Sequence, residues 1–491
     1  MVILYNPPSS ANRKPVMPLS LLALGAMLEG RSDYAIVDGN LEADELQALE
    51  RAIRGTGADI LGVTVMPGPQ LNHAVPVCRT LKRLFPKLRV IWGGYFPTQH
   101  ADACLASGFV DYVVRGFGEA SFLQLVAALQ SDGDVAAVPG IVFRDSGRGQ
   151  MVRTTDTPVP DPDGLPDYPY PRIDVRRYLR KSFMGERTVA HHSSYGCPHA
   201  CDFCAVGSMA RQKWRAQSAE HLARIVGRLV ADYGADAVEF YDNDFFVNEN
   251  RAAEFADRIA GLGIGWWAEG RIDELLGYAD PTWARLRDSG LRMAFMGAET
   301  GSDATLQRMN KGATASVDKT LAIAAKMKEY GIVPEFSFVL GNPPDPEADV
   351  KQTLAFIREV KRVNPAAEIV FYTYTPVPSN GELHREAERR GFRFPESLDE
   401  WTTPPWREFS QRRGEHIPWL SPKLRHRVRD FECVTNAFYP TVTDVRLRGP
   451  LRWLLRGASA WRFKLDLCRW PYELMLLQKL FAYRRPETSG L

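Results

Sequence analysis

Three cysteines within eight residues carry the chemistry that is easiest to infer from this sequence. Cys197, Cys201 and Cys204 stand in SSYGCPHACDFCAVG with the spacing C-x3-C-x2-C. Thiolates bind iron–sulfur clusters, and a four-iron cubane needs four ligands, so three cysteines leave one iron open to another molecule. A structural zinc site is the alternative, because His192 or His199 could supply a fourth ligand. Zinc ligands usually come as two pairs, however, and no second CxxC or HxxxH pair occurs.

The triad follows a predicted strand, and alternating strands and helices continue after it. Six strands are predicted in this region: Arg187–His191, Ala237–Tyr241, Gly265–Glu269, Met293–Gly297, Glu335–Leu340 and Glu368–Thr373. Six β/α units fall short of the eight in a closed barrel, which predicts an open, partial (β/α)6 barrel over residues 188–395. Such folds keep their active sites at the C-terminal ends of the strands, where the triad would lie.

The first third of the chain has its own series of strands. Short apolar runs without strict alternation indicate strands buried on both faces of a parallel sheet, at Val2–Tyr5, Tyr34–Val37, Ile60–Val65, Val90–Trp92 and Tyr112–Val114. They predict an α/β, Rossmann-like domain over residues 1–145. A linker follows over 146–187, with six prolines in residues 157–171.

Composition narrows the possible partners and compartments. The 491 residues hold 61 Lys and Arg against 59 Asp and Glu, which gives no reason to expect nucleic acid as a partner. Seven cysteines, unevenly spaced, do not form a secreted disulfide framework. The N-terminus lacks the pattern of a signal peptide, and no apolar run is long enough to span a membrane. We therefore expect a reducing, cytoplasmic compartment.

The triad with its aromatic residue, Phe203, resembles the C-x3-C-x-aromatic-C signature of the radical S-adenosylmethionine (SAM) superfamily. The resemblance implies a 4Fe–4S cluster on Cys197, Cys201 and Cys204, whose open iron chelates SAM. It also implies cleavage of SAM to a 5′-deoxyadenosyl radical that abstracts hydrogen from an unactivated carbon. The electron for this cleavage would come from a donor such as flavodoxin or ferredoxin.

Further residues resemble the SAM contacts of that superfamily, in order along the chain. EFYDNDFF looks like an acidic loop near the methionine amine, and Arg271 stands where an arginine usually contacts the carboxylate. Lys311 follows the fourth strand. The residues that the resemblance assigns to SAM are Phe203, Asp242, Asn243, Asp244, Glu269, Arg271, Gly297, Glu299 and Gly341.

The N-terminal region resembles the cobalamin-binding domains that precede such barrels, over about residues 1–140. Glycines at a strand end allow close approach of a ligand to the backbone. The residues that the resemblance assigns to cobalamin are Asn6, Thr64, Gly93, Gly94, Thr98, Gly116 and Glu119. The cobalt-binding D-x-H-x-x-G motif of the methionine-synthase type is absent, and neither His73 nor His100 has its context. The domain could also be an empty scaffold.

The implied activity is methyl transfer, in which one SAM yields the radical and a second supplies the methyl group through cobalamin. An oxidative cyclase or rearrangement enzyme, similar to the anaerobic magnesium-protoporphyrin monomethyl ester cyclase, shares this architecture. An alternative of another class is a non-catalytic iron–sulfur or zinc-binding redox sensor. We expect a small-molecule or lipid-like substrate, which the sequence does not identify.

The region 396–491 is predicted to be mainly helical, basic and amphipathic. From Asp444 onward ten Lys and Arg stand against four acidic residues, mixed with Leu and Trp. Such a pattern is typical of a helix on a membrane surface or near a lipid-like or anionic substrate. The alternative is a helix packed against the barrel, with its arginine stems covering apolar surface.

Overall fold

A computed structural model describes residues 1–9, 15–145, 147, 149–379, 381–412, 414, 417–443, 447 and 449–481. Its described residues form two large sheets flanked by helices, a separate two-stranded sheet and a helical C-terminal region. A large hydrophobic cluster runs through both sheets, from Ile3 to Phe431. Among the described residues, no helix is long and apolar enough to cross a membrane.

The N-terminal sheet has seven strands in the order β2-β1-β3-β4-β5-β6-β7. They are β1 (Val2–Asn6), β2 (Tyr34–Asp38), β3 (Ile60–Thr64), β4 (Arg89–Gly93), β5 (Tyr112–Val114), β6 (Ile141–Arg144) and β7 (Met151–Arg153). The first five are parallel, as predicted, and the last two are antiparallel. The accompanying helices are α1 (Leu19–Leu28), α2 (Glu45–Thr56), α3 (Pro69–Leu84), α4 (Tyr95–Gln99), α5 (Ala101–Ala106) and α6 (Glu119–Gln130).

The strand β7 lies inside the segment predicted as a linker. Its three residues pair with β6 at the edge of the sheet, so the sheet extends to Arg153. Its sequence, MVR, lacks the continuous apolar run by which the parallel strands were predicted, which is why the sequence did not reveal it.

The second sheet has six parallel strands in the order β15-β14-β13-β12-β11-β8, so the predicted open barrel is confirmed. They are β8 (Thr188–His191), β11 (Ala237–Phe240), β12 (Gly265–Gly270), β13 (Leu291–Glu299), β14 (Val333–Leu340) and β15 (Glu368–Thr373), and β9 (Ser194–Gly196) with β10 (Trp214–Ala216) forms a separate antiparallel pair. The helices are α7 (Val206–Ala210), α8 (Ala219–Tyr233), α9 (Glu249–Ile259), α10 (Ile272–Gly277), α11 (Asp280–Asp288), α12 (Asp303–Arg308), α13 (Val317–Tyr330), α14 (Pro346–Val363) and α15 (Glu382–Arg389).

The helix α8 illustrates how the sequence builds this layer. The Ser218 side chain caps its first turn by accepting from the His221 amide, and Gly234 ends it in a left-handed conformation. Its apolar side chains recur every three or four residues, so one face is buried against the sheet.

The proline-rich strap, defined as residues 157–178, is packed against both sheets. Tyr170 and Tyr178 are almost fully buried, and the Tyr178 hydroxyl donates to Asp38 at 2.8 Å. Asp167 accepts from Arg224 and Arg228 on α8. The strap therefore fastens the N-terminal sheet to the barrel.

The C-terminal region is helical, as predicted. Its helices are α16 (Leu398–Trp401), α17 (Pro404–Ser410), α18 (Pro422–Phe438), α19 (Gly449–Lys464) and α20 (Tyr472–Phe481). Trp401 packs against Phe96 of α4, whereas α18 packs against α14 of the barrel. Residues 444–446, 448 and 482–491 of the predicted basic stretch lie outside the described residues.

Candidate functional site

The three cysteines lie in the loop that joins β9 to α7, at the C-terminal end of the barrel. All three are partly exposed, and the Cys204 amide donates to the Cys201 carbonyl at 3.1 Å. Burial raises the pKa of each thiol. Nearby Lys311 and Arg271 act in the opposite direction on Cys201, whose sulfur lies 3.6 Å from an Arg271 nitrogen. This cationic surrounding suits a thiolate ligand.

Asp242 fixes the backbone that leads into this loop. Its side chain is fully buried and accepts from the amides of Ser193 at 2.5 Å and Ser194 at 2.6 Å, and from the Ser193 hydroxyl. Arg251 donates to the same hydroxyl at 2.7 Å. Both carboxylate oxygens are thus occupied within the protein. Asp242 serves to position the cysteine loop, whereas the neighbouring Asn243 is exposed.

Asp244 and Glu274 form a pair of buried carboxyl groups beside Cys197. One oxygen of each is buried without a hydrogen-bond partner among the described residues. Burial, and next the charge of Glu274, raise the pKa of Asp244 well above its ordinary value. The Cys197 sulfur lies 3.6 Å from the other Asp244 oxygen, and His199 contacts Glu274 at 2.8 Å. Two unsatisfied acidic oxygens at this point suit an ammonium group.

The side chains around Cys197 also allow the alternative of a zinc site to be assessed. A Cys197 sulfur, a His199 nitrogen and an Asp244 oxygen lie within 4.8 Å of one another. This group does not include Cys201 or Cys204, so the described residues do not assemble the triad and a histidine into one four-ligand set.

Arg271 is held by its own loop. Its guanidinium donates to both oxygens of Asp273 at 3.0 Å and to the Thr314 hydroxyl at 3.0 Å. The nitrogen that faces Cys201 is the one left for a ligand. Its predicted contact with the SAM carboxylate remains a prediction.

A buried ion pair closes the end of β13. The Lys311 ammonium donates to Glu299 at 2.6 Å and to the Gly297 carbonyl at 2.8 Å, and both charged side chains are 5% exposed. A side chain on Gly297 would collide with the Glu299 carboxylate, which explains the glycine. Glu299 has φ of 64°, in the left-handed region, at the irregularity where β13 ends.

Glu269 points into the barrel. Trp266 packs outward against Phe255 of α9, so the alternate residues Trp267 and Glu269 face the interior. Burial, and next the charge of Asp242, raise the pKa of Glu269 to about 8. A carboxyl group in this position can hold its proton at neutral pH.

Gly341 and Phe203 flank the same end of the barrel. Gly341 has φ of 80°, and an added Cβ would meet the Leu420 side chain at 2.5 Å. Its carbonyl accepts from the Trp419 indole at 3.0 Å. Phe203 packs against buried apolar residues that include Met309. These positions shape the rim of the barrel.

The predicted cobalamin residues gather at the C-terminal edge of the N-terminal sheet. Thr98 donates to the Gly94 carbonyl at 2.7 Å and accepts from the Gly116 amide at 3.0 Å, so it ties two edge loops together. Asn6 is buried and engaged on both sides, donating to Asp38 at 2.9 Å and accepting from Gln70 at 2.8 Å.

The strand order places a ligand site at this edge. The order 2-1-3-4-5 reverses direction between β1 and β3, and ligands of such sheets bind beyond the strand ends at that switch. Thr64 ends β3 there, and Gly93 ends β4 beside it. His73 contacts Glu45 at 2.8 Å, and His100 is packed among aromatic rings. Neither histidine was predicted to bind cobalt, and both side chains have partners within the protein. Glycines at these strand ends allow a ligand to approach the backbone closely.

The two candidate sites face each other. The helix α4, which follows Gly94, packs against α7, which follows Cys204. Burial, and next the charge of Cys204, raise the pKa of Tyr95 on α4. Phe117 packs on Tyr195 with ring centroids 4.9 Å apart.

Glu119 is buried at this same contact, with one oxygen lacking a partner among the described residues. Burial raises the pKa of Glu119, and the hydrogen bond with the Tyr195 hydroxyl lowers it by a smaller amount. Sequence reasoning missed Tyr95 and Glu274, although each directly follows a predicted site segment.

Comparison with known families agrees with this geometry. Residues 192–357 match the model of the radical SAM superfamily, and residues 13–126 match the B12 binding domain. The chain is a radical SAM enzyme with a B12-binding domain. The resemblance predicted from the cysteine motif is confirmed.

Two relatives of this radical SAM enzyme are named for different activities. A protein of Pyrococcus horikoshii named as an uncharacterized methyltransferase is 26% identical, over 73% of this chain and 78% of its own length. The anaerobic magnesium-protoporphyrin IX monomethyl ester cyclase of Synechocystis is 28% identical, over 65% of this chain and 64% of its own.

Solved structures of two radical SAM enzymes share the fold. The methyltransferase TsrM from Kitasatospora setae, with cobalamin and a 4Fe–4S cluster bound, gives a TM-score of 0.65 at 18% identity, covering 79% of this chain and 75% of its own. The cobalamin-dependent enzyme OxsB gives 0.66 at 15% identity, covering 98% and 75%. The predicted fold class is thereby confirmed.

Proposed function

We propose that this enzyme uses a 4Fe–4S cluster, SAM and cobalamin to transfer a methyl group to an unactivated carbon of a small molecule. The observation that carries the proposal is the contact between α4 and α7, which brings the ligand edge of the N-terminal sheet against the cysteine loop. Radical formation and methyl donation would then share one cavity.

The residues of the chain divide the work between holding the cofactors and orienting them. Cys197, Cys201 and Cys204 would ligate the cluster, and Asp244 with Glu274 would receive the SAM ammonium group. When bound, the cluster and SAM supply a carbon-centred radical, and cobalamin supplies the methyl group. Asp242 keeps the loop in place through the amides that it accepts from.

The test is anaerobic purification with iron–sulfide reconstitution, followed by visible spectra with and without hydroxocobalamin. We expect an iron–sulfur absorption that Cys201→Ala abolishes, and cobalamin that stays with the protein on gel filtration. Iron-free protein, or protein that elutes from gel filtration without cobalamin, would overturn the proposal. Zinc in place of iron would favour the alternative of a metal-binding sensor.

Oxidative cyclisation is the second candidate, supported by the similarity to the cyclase of Synechocystis. The two activities differ in product mass, because methylation adds one carbon and cyclisation removes hydrogen. Incubation with methyl-labelled SAM separates them: a labelled product together with 5′-deoxyadenosine supports methylation, whereas 5′-deoxyadenosine with an unlabelled, dehydrogenated product supports cyclisation.

We further propose that a small electron-transfer protein such as flavodoxin or ferredoxin reduces the cluster. We also propose a reducing, cytoplasmic location. The thiols of six cysteines are free, which supports a compartment that keeps thiols reduced; they are Cys78, Cys104, Cys197, Cys201, Cys204 and Cys468. The simplest check is SAM cleavage driven by reduced flavodoxin in place of dithionite.

A further inference from the structure

Exposed apolar side chains are concentrated at the C-terminal end of the described chain. Among the described residues, twelve large hydrophobic side chains are exposed, and nine of them lie between residues 453 and 480. We call these nine the apolar patch: Trp453, Leu454, Trp461, Leu465, Leu467, Trp470, Tyr472, Leu476 and Leu480. Soluble surfaces rarely gather so many, and such patches mark interaction sites.

The patch is the outer face of two helices whose inner faces are packed. On α19, Leu455 and Phe463 are buried, while Leu454 and Trp461 lie at helical spacing on the opposite face. Leu465, which directly follows α19, is exposed as well. On α20, exposed residues recur every four positions, and Leu474 is buried against α18. Because the inner faces of both helices are packed, the fold holds the apolar side chains of their outer faces toward solvent.

The loop between these helices is held rigid by Arg462. Its guanidinium donates to the carbonyls of Leu467 at 3.0 Å, Arg469 at 3.0 Å and Trp470 at 3.3 Å, and it pairs with Glu473. Trp470, 65% exposed, is therefore presented outward on an ordered loop.

Basic residues surround the patch without matching acids. Residues 449–481 contain six Lys and Arg and two acidic residues. Both acids are already paired, Asp466 with Arg358 and Glu473 with Arg462. Four of the other cations form no ion pair among the described residues. They are Arg456, Lys464, Arg469 and Lys479. An open groove of about 340 Å³ beside Trp453 carries Arg456 on its wall.

We propose that α19 and α20 dock this enzyme on an anionic lipid bilayer. Tryptophan and tyrosine with leucine suit the boundary between headgroups and acyl chains, and the surrounding cations suit anionic headgroups. A second copy of the chain is a poorer occupant, because it would bring one basic surface against another. The inference is independent of the reaction that the barrel performs.

Cosedimentation of the full-length protein with vesicles tests this docking. Vesicles of phosphatidylcholine alone are compared with vesicles that also contain phosphatidylglycerol. We expect binding to the anionic vesicles that weakens as salt is added, because salt screens the charge attraction. Equal binding to both vesicles, or binding to neither, would overturn the proposal.

Matched pairs of variants locate the contact. Leu465→Ser with Leu476→Ser should weaken vesicle binding about tenfold or more, since two leucines no longer enter the bilayer. Leu84→Ser with Leu262→Ser removes two exposed leucines elsewhere and should leave binding unchanged. Equal effects from the two pairs would contradict docking through the patch.

The charge is tested in the same way. Lys464→Gln with Lys479→Gln should weaken binding to anionic vesicles about tenfold or more, and Lys87→Gln with Lys351→Gln should not. Light scattering after gel filtration identifies the rival occupant. A dimer that the patch leucine variants convert to a monomer, without vesicle binding by the wild type, would make this face an interface between copies.

Discussion

Two carboxyl groups lie beside Cys197, and each has one buried oxygen that no donor among the described residues satisfies. Asp244 and Glu274 each bury an oxygen without a donor, whereas Asp242, two positions away, has every oxygen occupied. The two acids of this loop segment, Asp242 and Asp244, therefore differ in role. Asp242 stabilises the backbone of the loop, and we propose that Asp244 contacts the ligand.

This difference predicts opposite results for two similar substitutions. Asp244→Asn should raise the dissociation constant for SAM about tenfold or more, because a charge-assisted hydrogen bond to the ammonium is lost. The iron content of the reconstituted protein should not change. Isothermal titration of the reconstituted enzyme with SAM measures the effect.

Asp242→Asn is the matched control. The amide oxygen can still accept from the Ser193 and Ser194 amides, but the amide nitrogen replaces the oxygen that accepts from the Ser193 hydroxyl. Because this buried hydrogen bond is lost, the melting temperature should fall, while Asp244→Asn leaves it unchanged. If the affinity for SAM is the same in Asp244→Asn and the wild type, Asp244 does not bind the ammonium.

The buried pair of Lys311 and Glu299 gives a second prediction at this scale. Lys311→Met leaves the Glu299 carboxylate buried without its cation, which should cost about 3–5 kcal/mol of unfolding free energy. The double variant with Glu299→Gln should recover much of this loss, since neither charge remains. Urea unfolding of the apoprotein measures both, and equal losses in the single and double variants would contradict the charge argument.

At the scale of elements, the sequence predicted the two parallel sheets well and the loops between them poorly. Each predicted strand lies within about two residues of an observed one, because parallel strands are uninterrupted apolar runs. The strands β6, β7, β9 and β10 were missed. They pair antiparallel, and β7, β9 and β10 contain no run of three apolar residues like the runs that marked the parallel strands.

The candidate site divides in the same way. The cysteine triad was visible because its spacing lies within one loop. Asp242 accepts hydrogen bonds from backbone amides, and Arg271 is paired with Asp273. The local sequence does not show that these side chains are engaged within the protein. The cofactor contacts assigned from resemblance therefore stay predictions until they are tested individually.

The strand β14 offers a prediction about pH. Burial, and next the charge of Glu368, raise the pKa of Glu335 from 4.5 to about 8, and its partner is the Trp267 indole at 3.0 Å. As pH rises through this window, the unfolded chain releases the proton before the folded one. The folded state therefore loses stability between about pH 4.5 and pH 8.

Glu335→Gln should remove this loss, since the amide oxygen can still accept from Trp267. The variant and the wild type should be alike near pH 4.5, and the variant should be more stable by a few kcal/mol at pH 8. Urea unfolding across this range measures it, with Glu347→Gln on the exposed start of α14 as control, expected to change stability by about 0.5 kcal/mol or less. An equal difference at all pH values would contradict the titration of Glu335.

At the scale of the whole molecule, function requires that the two sheets keep a fixed relation, because the proposed cofactors bind on different sheets. The strap and the contact of α4 with α7 both connect the N-terminal sheet to the barrel. A further bridge comes from the C-terminal region, where Trp401 of α16 meets Phe96 at 5.2 Å and His100 at 4.7 Å between ring centroids. Arg79 and Asp399 add an ion pair across the same contact.

This bridge predicts that the apoprotein unfolds in one calorimetric transition and that Trp401→Ala divides it. Loss of a buried indole costs about 3–5 kcal/mol, and here the cost falls on the contact between the sheets. Trp283→Ala is the control, because Trp283 is equally buried but stacks on Tyr330 within the barrel layer. It should lower the melting temperature and keep one transition. A single transition in Trp401→Ala would mean that the strap and the α4 contact couple the sheets without the aromatic bridge.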